Sequence, residues 1–549
     1  MGAGALMGEA WEAVRPGGRL HPEAFLASGG HVAVEVALLC VIAALLLRRR
    51  APAPRRGAGG GGGGLTPAEV ADLVAEWRPE PVVPASGRRE RPALRTVHKV
   101  GGGKVELGPA GEAAGDEGVA AGGRSPVRAL AGLARGGGSG ARETLLDLVS
   151  TSFLGLEERP EIRAACRGAI DKYGCGSCGP RGFYGTVDVH LELEERFASF
   201  MGVEAAILYS FDIATPLSTI PAFCKAGDLI IMDEGCSYAV RQGVELSRAR
   251  VRTFKHNDAA DLERVLKEVD AENARRGRQK LKLRFIVVEG VYADHGDVPP
   301  LPEIVALKER FKYRLMIEES FSLGTLGTHG RGVCEHFGLE PSVADMIFAG
   351  LGNAFASVGG ICLGGHVPIN HQRLAGAGYV FSASLPPFLA VASVGAIDAL
   401  EAEPSLVPTL RSRSAAVRRE LRRSPHLHVV GDEDTPLIHV RLANRDSGAK
   451  AKVGTRKGSH GKAVKAGAEG EGGEEDDEAA AHLREEAALE ALVADVAKTA
   501  GVLVSVAQHS SLAPAQRPSL KLAVTLSASE DDLVRAAQAI VAAAKRACT

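Results

Sequence analysis

Asp345-Met-Ile-Phe-Ala-Gly-Leu-Gly-Asn353-Ala-Phe-Ala-Ser357-Val-Gly359-Gly360 passes from an apolar strand candidate through a turn of small residues into a Gly-Gly pair. The same strand-then-turn theme recurs upstream at Ala205–Tyr209, Leu229–Met232, Arg284–Val288 and Arg314–Ile317, with Met346–Phe348 closing the series. Helical patterns lie between these runs, at Val189–Met201, Ala259–Ala274 and Pro302–Phe311. Alternation of this kind predicts βαβ units and a mostly parallel sheet. Within the quoted turn the polar side chain is the amide of Asn353, and no lysine occurs anywhere from Tyr313 to Ala449.

Working outward, the folded body is expected to begin near Glu143. After Pro386-Pro387 the sequence is helix-rich, then carries strand candidates Ile438–Val440, Val502–Val504 and Leu520–Thr525 and a closing helix Asp531–Ala544. Residues 141–387 therefore read as a large domain and 388–549 as a smaller one. Asp446–Glu478 turns from basic to acidic and is rich in Gly and Ala, which predicts a disordered insertion. The Gly57–Gly64 and Gly136–Gly140 tracts raise the glycine total of 67 without informing the fold. Thr66-Pro67-Ala68-Glu69 combines an N-cap, a proline at the first helical position and a capping-box glutamate. It opens a short amphipathic helix over 66–78 within a tether spanning 48–140. Gly101–Gly140 reads as a second low-complexity stretch.

Val32–Leu47 is apolar apart from Glu35 and is followed by Arg48-Arg49-Arg50 and Arg55-Arg56. Sixteen helical residues reach only about 24 Å; extension back to Ala24 gives about 36 Å, enough for the hydrocarbon core. Positive charge after the apolar core, rather than before it, predicts an uncleaved single-span anchor instead of a signal peptide. The arginine excess places residues 1–31 across the membrane and the bulk of the chain in the cytosol.

Composition narrows the function. A formal net charge of -2 gives no general reason to expect nucleic acid as a partner. Nine scattered cysteines, Cys40, Cys166, Cys175, Cys178, Cys224, Cys236, Cys334, Cys362 and Cys548, suit a reducing compartment with free thiols. Gly174-Cys-Gly176-Ser-Cys-Gly179 formally matches a dinucleotide fingerprint. A helical pattern, Glu161–Lys172, precedes it where a strand is required, and Pro180-Arg181-Gly182 follows it. Cys175 and Cys178 have no second CxxC pair to complete a zinc site, so no metal is expected from them. The run reads as a tightly turned glycine loop.

The longer run Tyr173-Gly-Cys-Gly-Ser-Cys-Gly-Pro-Arg-Gly-Phe-Tyr-Gly-Thr186, continuing through Asp188-Val-His190 to Glu194, is far more specific. It closely resembles the loop and helix of the α-oxoamine synthases, a pyridoxal phosphate family, and most of all their lysine-free subunits. Further matching stretches are Glu76–Pro84, Phe254–Asp258, Glu318–Gly327, His329–Gly332, His371–Leu374 and Phe381–Pro387. The resemblance implies the α/β fold type I of pyridoxal phosphate-dependent transferases. In that fold a seven-stranded, mostly parallel sheet forms the large domain, and a smaller α+β domain lies at the C-terminus.

The resemblance also implies a degenerate site. Relatives hold the cofactor as a Schiff base on a lysine at the position of Asn353, and an amide cannot do this chemistry. Glu318 stands where relatives place a carboxylate under the pyridinium nitrogen, with an over-long side chain, and Phe321 replaces a histidine. Ser237 replaces the histidine that stacks on the ring. Asp212 sets negative charge where relatives cradle the phosphate, and Ser519 replaces an arginine for the substrate carboxylate. No residue of this chain is expected to be catalytic. Arg181, Tyr184, Ser382 and Ser384 are expected to serve the site of a lysine-bearing partner that binds pyridoxal phosphate covalently. The implied complex is a heterodimer on the endoplasmic reticulum membrane, with small regulatory membrane proteins as further partners, condensing L-serine with palmitoyl-CoA. Two other readings stay open: a self-sufficient synthase using a remote lysine, and an anchored scaffold without chemistry.

The anchor reading has a direct check. Glycosylation sites engineered before Ala24 are expected to be modified and sites after Arg56 to remain unmodified; the opposite pattern reverses the topology.

Overall fold

The computed structural model describes residues 97–107, 143–276, 283–443, 472–507 and 516–548. The apolar run Val32–Leu47, the helix expected at 66–78 and most of the 446–478 insertion lie outside the described residues.

Fifteen strands among the described residues form three sheets. They are β1 (Val97–Gly101), β2 (Lys104–Leu107), β3 (Glu143–Asp147), β4 (Ala205–Tyr209), β5 (Leu229–Asp233), β6 (Arg250–Phe254), β7 (Arg284–Glu289) and β8 (Arg314–Glu318). β9 (Met346–Gly350), β10 (Gly360–Gly364), β11 (Leu427–Val430), β12 (Leu437–Leu442), β13 (Val502–Leu503), β14 (Ser505–Val506) and β15 (Leu520–Ala523) follow. The central sheet has seven strands in the order β4-β10-β9-β8-β7-β5-β6, all parallel except β10, which runs antiparallel to both neighbours.

The physical reason for the parallel sheet is in its side chains. Every residue of β5, β9 and β10 is buried, as expected where both faces are covered and the strands read as continuous apolar runs. Alternation then divides the residues between two cores. Leu229, Ile231, Ile286, Val288, Leu315, Ile317, Ile347 and Ala349 join the core on one face. Ile230, Met232, Phe285, Val287, Met316, Met346 and Phe348 join the core on the other.

Helices α1 (Pro160–Tyr173), α2 (Asp188–Met201), α3 (Ala214–Phe223), α4 (Tyr238–Leu246), α5 (Ala259–Arg276), α6 (Leu301–Phe311) and α7 (His366–Ala375) connect or cover the strands. α8 (Pro387–Ala402) packs on α1 and α2, and α9 (Leu406–Leu421) on α11 (Glu530–Cys548), which also meets α10 (Gly472–Ala500). A four-stranded antiparallel sheet, β11-β12-β15-β14, forms the C-terminal layer. A second small sheet has the order β1-β2-β3-β13.

Several expectations are corrected. β1 and β2 fall inside the 48–140 tether, and β2 inside Gly101–Gly140. They form a hairpin paired with β3, so ordered structure begins well before Glu143. α10 starts at Gly472, within the segment expected to be disordered through Glu478. β6 escaped notice because it is an edge strand whose Arg250-Val-Arg-Thr sequence is largely exposed. β10 escaped because its terminal glycines read as a turn. Of Val502–Val504 only Val502–Leu503 is a strand, and a second short strand, Ser505–Val506, follows it into a different sheet.

One buried cation ties the C-terminal layer together. Arg418, fully buried on α9, donates to the carbonyls of Thr435 at 2.6 Å and Leu437 at 3.1 Å and to Thr435 Oγ1 at 2.9 Å. Arg418→Met keeps the volume but strands those acceptors. The expected outcome is a loss of about 2 kcal/mol, read as a lower urea midpoint at unchanged slope.

Candidate functional site

The C-terminal ends of β4, β5, β7, β8 and β9 meet along one edge of the central sheet, because these five strands run in the same direction. That edge is where an open α/β sheet presents ligands. The turns leaving it carry Asp212, Ser237, Glu289, Glu318–Phe321 and Asn353, so the positions picked out from the sequence are brought together.

Each of them is committed to the protein. The Asn353 amide nitrogen donates to the Ser320 carbonyl at 2.6 Å, and its side-chain oxygen accepts from Thr151 Oγ1 at 2.6 Å. Its backbone carbonyl accepts from Phe153 N at 3.0 Å. Glu318 is folded back onto its own turn, accepting from the Ser320 backbone at 3.1 Å and from the Ser320 hydroxyl. Burial, reinforced by the nearby charge of Glu289, pushes the Glu318 carboxyl well above its usual range. Burial lifts Glu289 to about 7, although the Ser237 N–H donates to it at 2.6 Å. Phe321 packs edge-on against Phe153, ring centroids 6.2 Å apart. Asp212 accepts from the N–H of Ile213 at 2.6 Å just ahead of α3. Ser519 bonds His439 at 3.0 Å.

These residues do not fit a covalently held pyridoxal phosphate. The lysine position is an amide saturated by the protein, and the carboxyl beneath the ring site is disposed to stay protonated. Phe321 and Asp212 supply an apolar ring and a negative charge where the cofactor requires otherwise. No step is derived through the group on this chain.

The glycine loop after α1 is built around close backbone approach. A Cβ on Gly185 would lie 1.9 Å from the Gly179 carbonyl oxygen. The loop is fastened to the segment after α7: Ser384 N donates to Gly179 O at 2.8 Å, Pro180 bridges Ala383, and the Ser384 hydroxyl reaches Gly185 O. His190 Nδ1 accepts from Val187 N at 3.1 Å, so its Nε2–H donates to Leu385 O at 2.7 Å.

Two of the residues expected to serve a partner's site are bonded within this chain. Arg181 is buried and turned inward, with its guanidinium 2.9 Å from Glu194 and 2.9 Å from Thr186 Oγ1. Ser384 is buried and bonded within its own chain, so neither has a donor extended outward. Ser382 is half-buried. Tyr184 is fully exposed at a positive φ of 63°, and Phe183, Phe211, Ile213, Val358 and Phe381 are also exposed.

Sequence reading missed Lys521. Its ammonium lies 5.0 Å from the centre of the Phe321 ring, and burial lowers its basicity against the opposing charges of Asp294 and Glu289. The signal available was a single lysine inside the apolar run of β15. Glu194 and the His256 cluster were also missed: Glu194 and His256 lie inside stretches that carry the resemblance, but neither is a position to which it assigns a role.

The family model described as aminotransferase class I and II matches residues 143–505. The chain is 41% identical to long chain base biosynthesis protein 1b of Oryza sativa subsp. japonica over 390 residues, covering 70% of this chain and 73% of the relative. It is 44% identical over 312 residues to serine palmitoyltransferase 1 of Dictyostelium discoideum, covering 56% of this chain and 64% of the relative. Among solved structures, an S. paucimobilis serine palmitoyltransferase variant with a bound PLP–myriocin aldimine has a TM-score of 0.64 at 20% identity. It covers 88% of this chain and 97% of that one, a likeness of fold.

The site carries a pH signature. Burial raises Glu319 from 4.5 to about 7, although Ser322 Oγ and the Val333 N–H, 3.0 Å away, donate to it. The folded state therefore binds this proton more tightly than the unfolded chain. The resulting stability is complete below about 4.5 and is lost as pH rises through about 7. Glu319→Gln is expected to flatten the fall in stability across that window, measured by urea unfolding at a series of pH values.

Proposed function

Since the chain belongs to the aminotransferase class I and II family, in its branch of long chain base biosynthesis proteins and serine palmitoyltransferases, we propose that it is the lysine-lacking subunit of a two-chain serine palmitoyltransferase. The assignment makes it a component of an acyltransferase of sphingolipid base synthesis. The complex condenses L-serine with palmitoyl-CoA, releasing carbon dioxide and CoA and giving 3-ketosphinganine. Pyridoxal phosphate, the family's cofactor, supplies the electron sink and is held by a lysine of the partner.

The observation that carries this reading is Asn353, whose amide is bonded on both sides by Ser320 and Thr151. Such an amide positions the Thr151–Phe153 segment against the turn after β8. It preserves the shape of a cofactor site while leaving no amine there. The exposed group of Phe183, Tyr184, Phe211, Ile213, Val358 and Phe381 gives an apolar face for a second subunit around the glycine loop. Aromatic anchors at the centre of such a patch suit a tight interface. The role of this chain is to complete the partner's site and, through Val32–Leu47 and its trailing arginines, to hold the complex on the cytosolic face of the endoplasmic reticulum membrane. Small regulatory membrane proteins belong to the same proposal.

A second reading, a self-sufficient synthase, is favoured by one observation: Lys521 puts a half-buried amine beside Phe321. Borohydride reduction in the presence of pyridoxal phosphate separates the two. The expected outcome is no phosphopyridoxyl peptide from the isolated chain and a single labelled lysine on an equimolar homologue recovered with it from membranes. Label on a Lys521 peptide of the isolated chain establishes the second reading and overturns the first.

A further inference from the structure

We propose that His256, His295 and Asp297 form a binding site for a late first-row divalent metal ion, zinc foremost, that clamps the turn after β7 to the turn after β6. One nitrogen or carboxylate oxygen from each of the three lies within 4.8 Å of those of the other two.

The site is built in two shells. Asp233, fully buried at the end of β5, accepts from His256 Nδ1 at 2.8 Å and from the Gly235 and Asn257 backbone at 2.6 Å and 2.9 Å. A carboxylate that fixes one imidazole nitrogen in this way orients the other as a metal ligand. The other nitrogen, Nε2, faces the Asp297 carboxylate at 3.0 Å and 3.2 Å. His295 and Asp297 are placed by a tight turn in which Tyr292 O accepts from Gly296 N at 2.7 Å and Tyr292 N donates to Asp297 O at 3.0 Å.

Two unmet polar groups point to a missing ligand. His295 Nδ1 is buried and has no hydrogen-bond partner among the described residues. The Tyr292 hydroxyl, on a fully buried side chain whose ring meets the His256 ring edge-on at 4.5 Å, is also unpartnered among them. Buried polar groups are almost always satisfied, so the bare His295 nitrogen within the cluster needs a partner. Two nitrogens and one carboxylate suit zinc and its neighbours, with a fourth position left for water.

The ion-free arrangement is a proton-bridged one, with the His256 imidazolium between Asp233 and Asp297 and the His295 ring stacked on it at 3.9 Å and 29°. Tetrahedral zinc needs donor atoms about 3.3 Å apart. Binding therefore displaces the proton on His256 Nε2 and turns His295, the ring with the unbonded nitrogen. The clamp sits on a seam: Gly296 O accepts from Thr435 Oγ1 at 2.7 Å and from Asp432 N at 3.1 Å, ahead of β12.

The test uses the full-length chain as purified, stripped with a chelator and titrated with Co2+ and then Zn2+. The expected result is one ion per chain by elemental mass spectrometry, with cobalt ligand-field absorption typical of four or five coordination. Asp297→Asn and His295→Ala are expected to weaken binding at least tenfold, and zinc to raise the unfolding temperature of the wild type alone. Absence of that cobalt absorption in the wild-type chain overturns the proposal and leaves the proton bridge as the function of the cluster. Unchanged zinc affinity in folded variants overturns it equally.

Discussion

Glu194 is a buried carboxylate with Arg181 at 2.9 Å, Arg373 at 3.2 Å and the Leu208 N–H at 2.9 Å. These three partners come from the glycine loop, from α7 and from β4, while Glu194 itself rides on α2. A charge removed from water at this depth is tolerated only when its lone pairs are filled. The glycine loop therefore cannot leave the body of the fold without costing buried Glu194 one of its two arginine partners. The loop's shape, its contact with Ser384 and the outward turn of Tyr184 all follow from that anchorage. The same anchorage explains why Arg181 is unavailable to any neighbouring site.

The central sheet and the emptied site have separable physical origins. Sheet formation rests on apolar strands buried on both faces, and nothing in that requirement involves the turns at the strand ends. Substitutions at Asn353, Phe321, Ser237 and Asp212 are therefore compatible with an intact fold, provided each new side chain finds partners. Asn353 finds two, Ser237 gives its backbone N–H to Glu289, and Phe321 finds Phe153. What changed is the electrostatic character of the pocket. Asp294 and the fully buried Glu289 oppose the ammonium of Lys521.

How much of this was legible in the sequence depends on which force sets each element. Strands β4, β5, β7, β8 and β9 declared themselves because parallel strands buried on both sides are unbroken apolar runs. β6 did not, since its arginines at an exposed edge are chosen by solvent and by Glu272 rather than by a core. The β1–β2 hairpin was hidden by glycines that a turn requires: Gly101, Gly102 and Gly103 all adopt positive φ. Composition treats such residues as low complexity, whereas the backbone uses them as conformers that other residues rarely adopt. The site positions were legible only by resemblance. Residue type said that Asn353 cannot react, but not that its amide joins Ser320 to Thr151, which lies 202 residues before Asn353.

The same asymmetry explains why the buried ionic groups went unread. Glu194, Arg418 and the Asp233–His256–Asp297 chain each join elements far apart in sequence, and no local spacing encodes them. Their common feature is position: Glu194 lies where loop meets sheet, Arg418 where α9 meets the C-terminal sheet, and His256 where two strand-end turns meet that layer. Hydrophobic contact alone leaves such seams free to slide, because apolar packing is non-directional. Hydrogen-bonded charges fix the register of one element on another. These ionic joints supply rigidity at the seams they cross, including the one that holds the glycine loop carrying Tyr184.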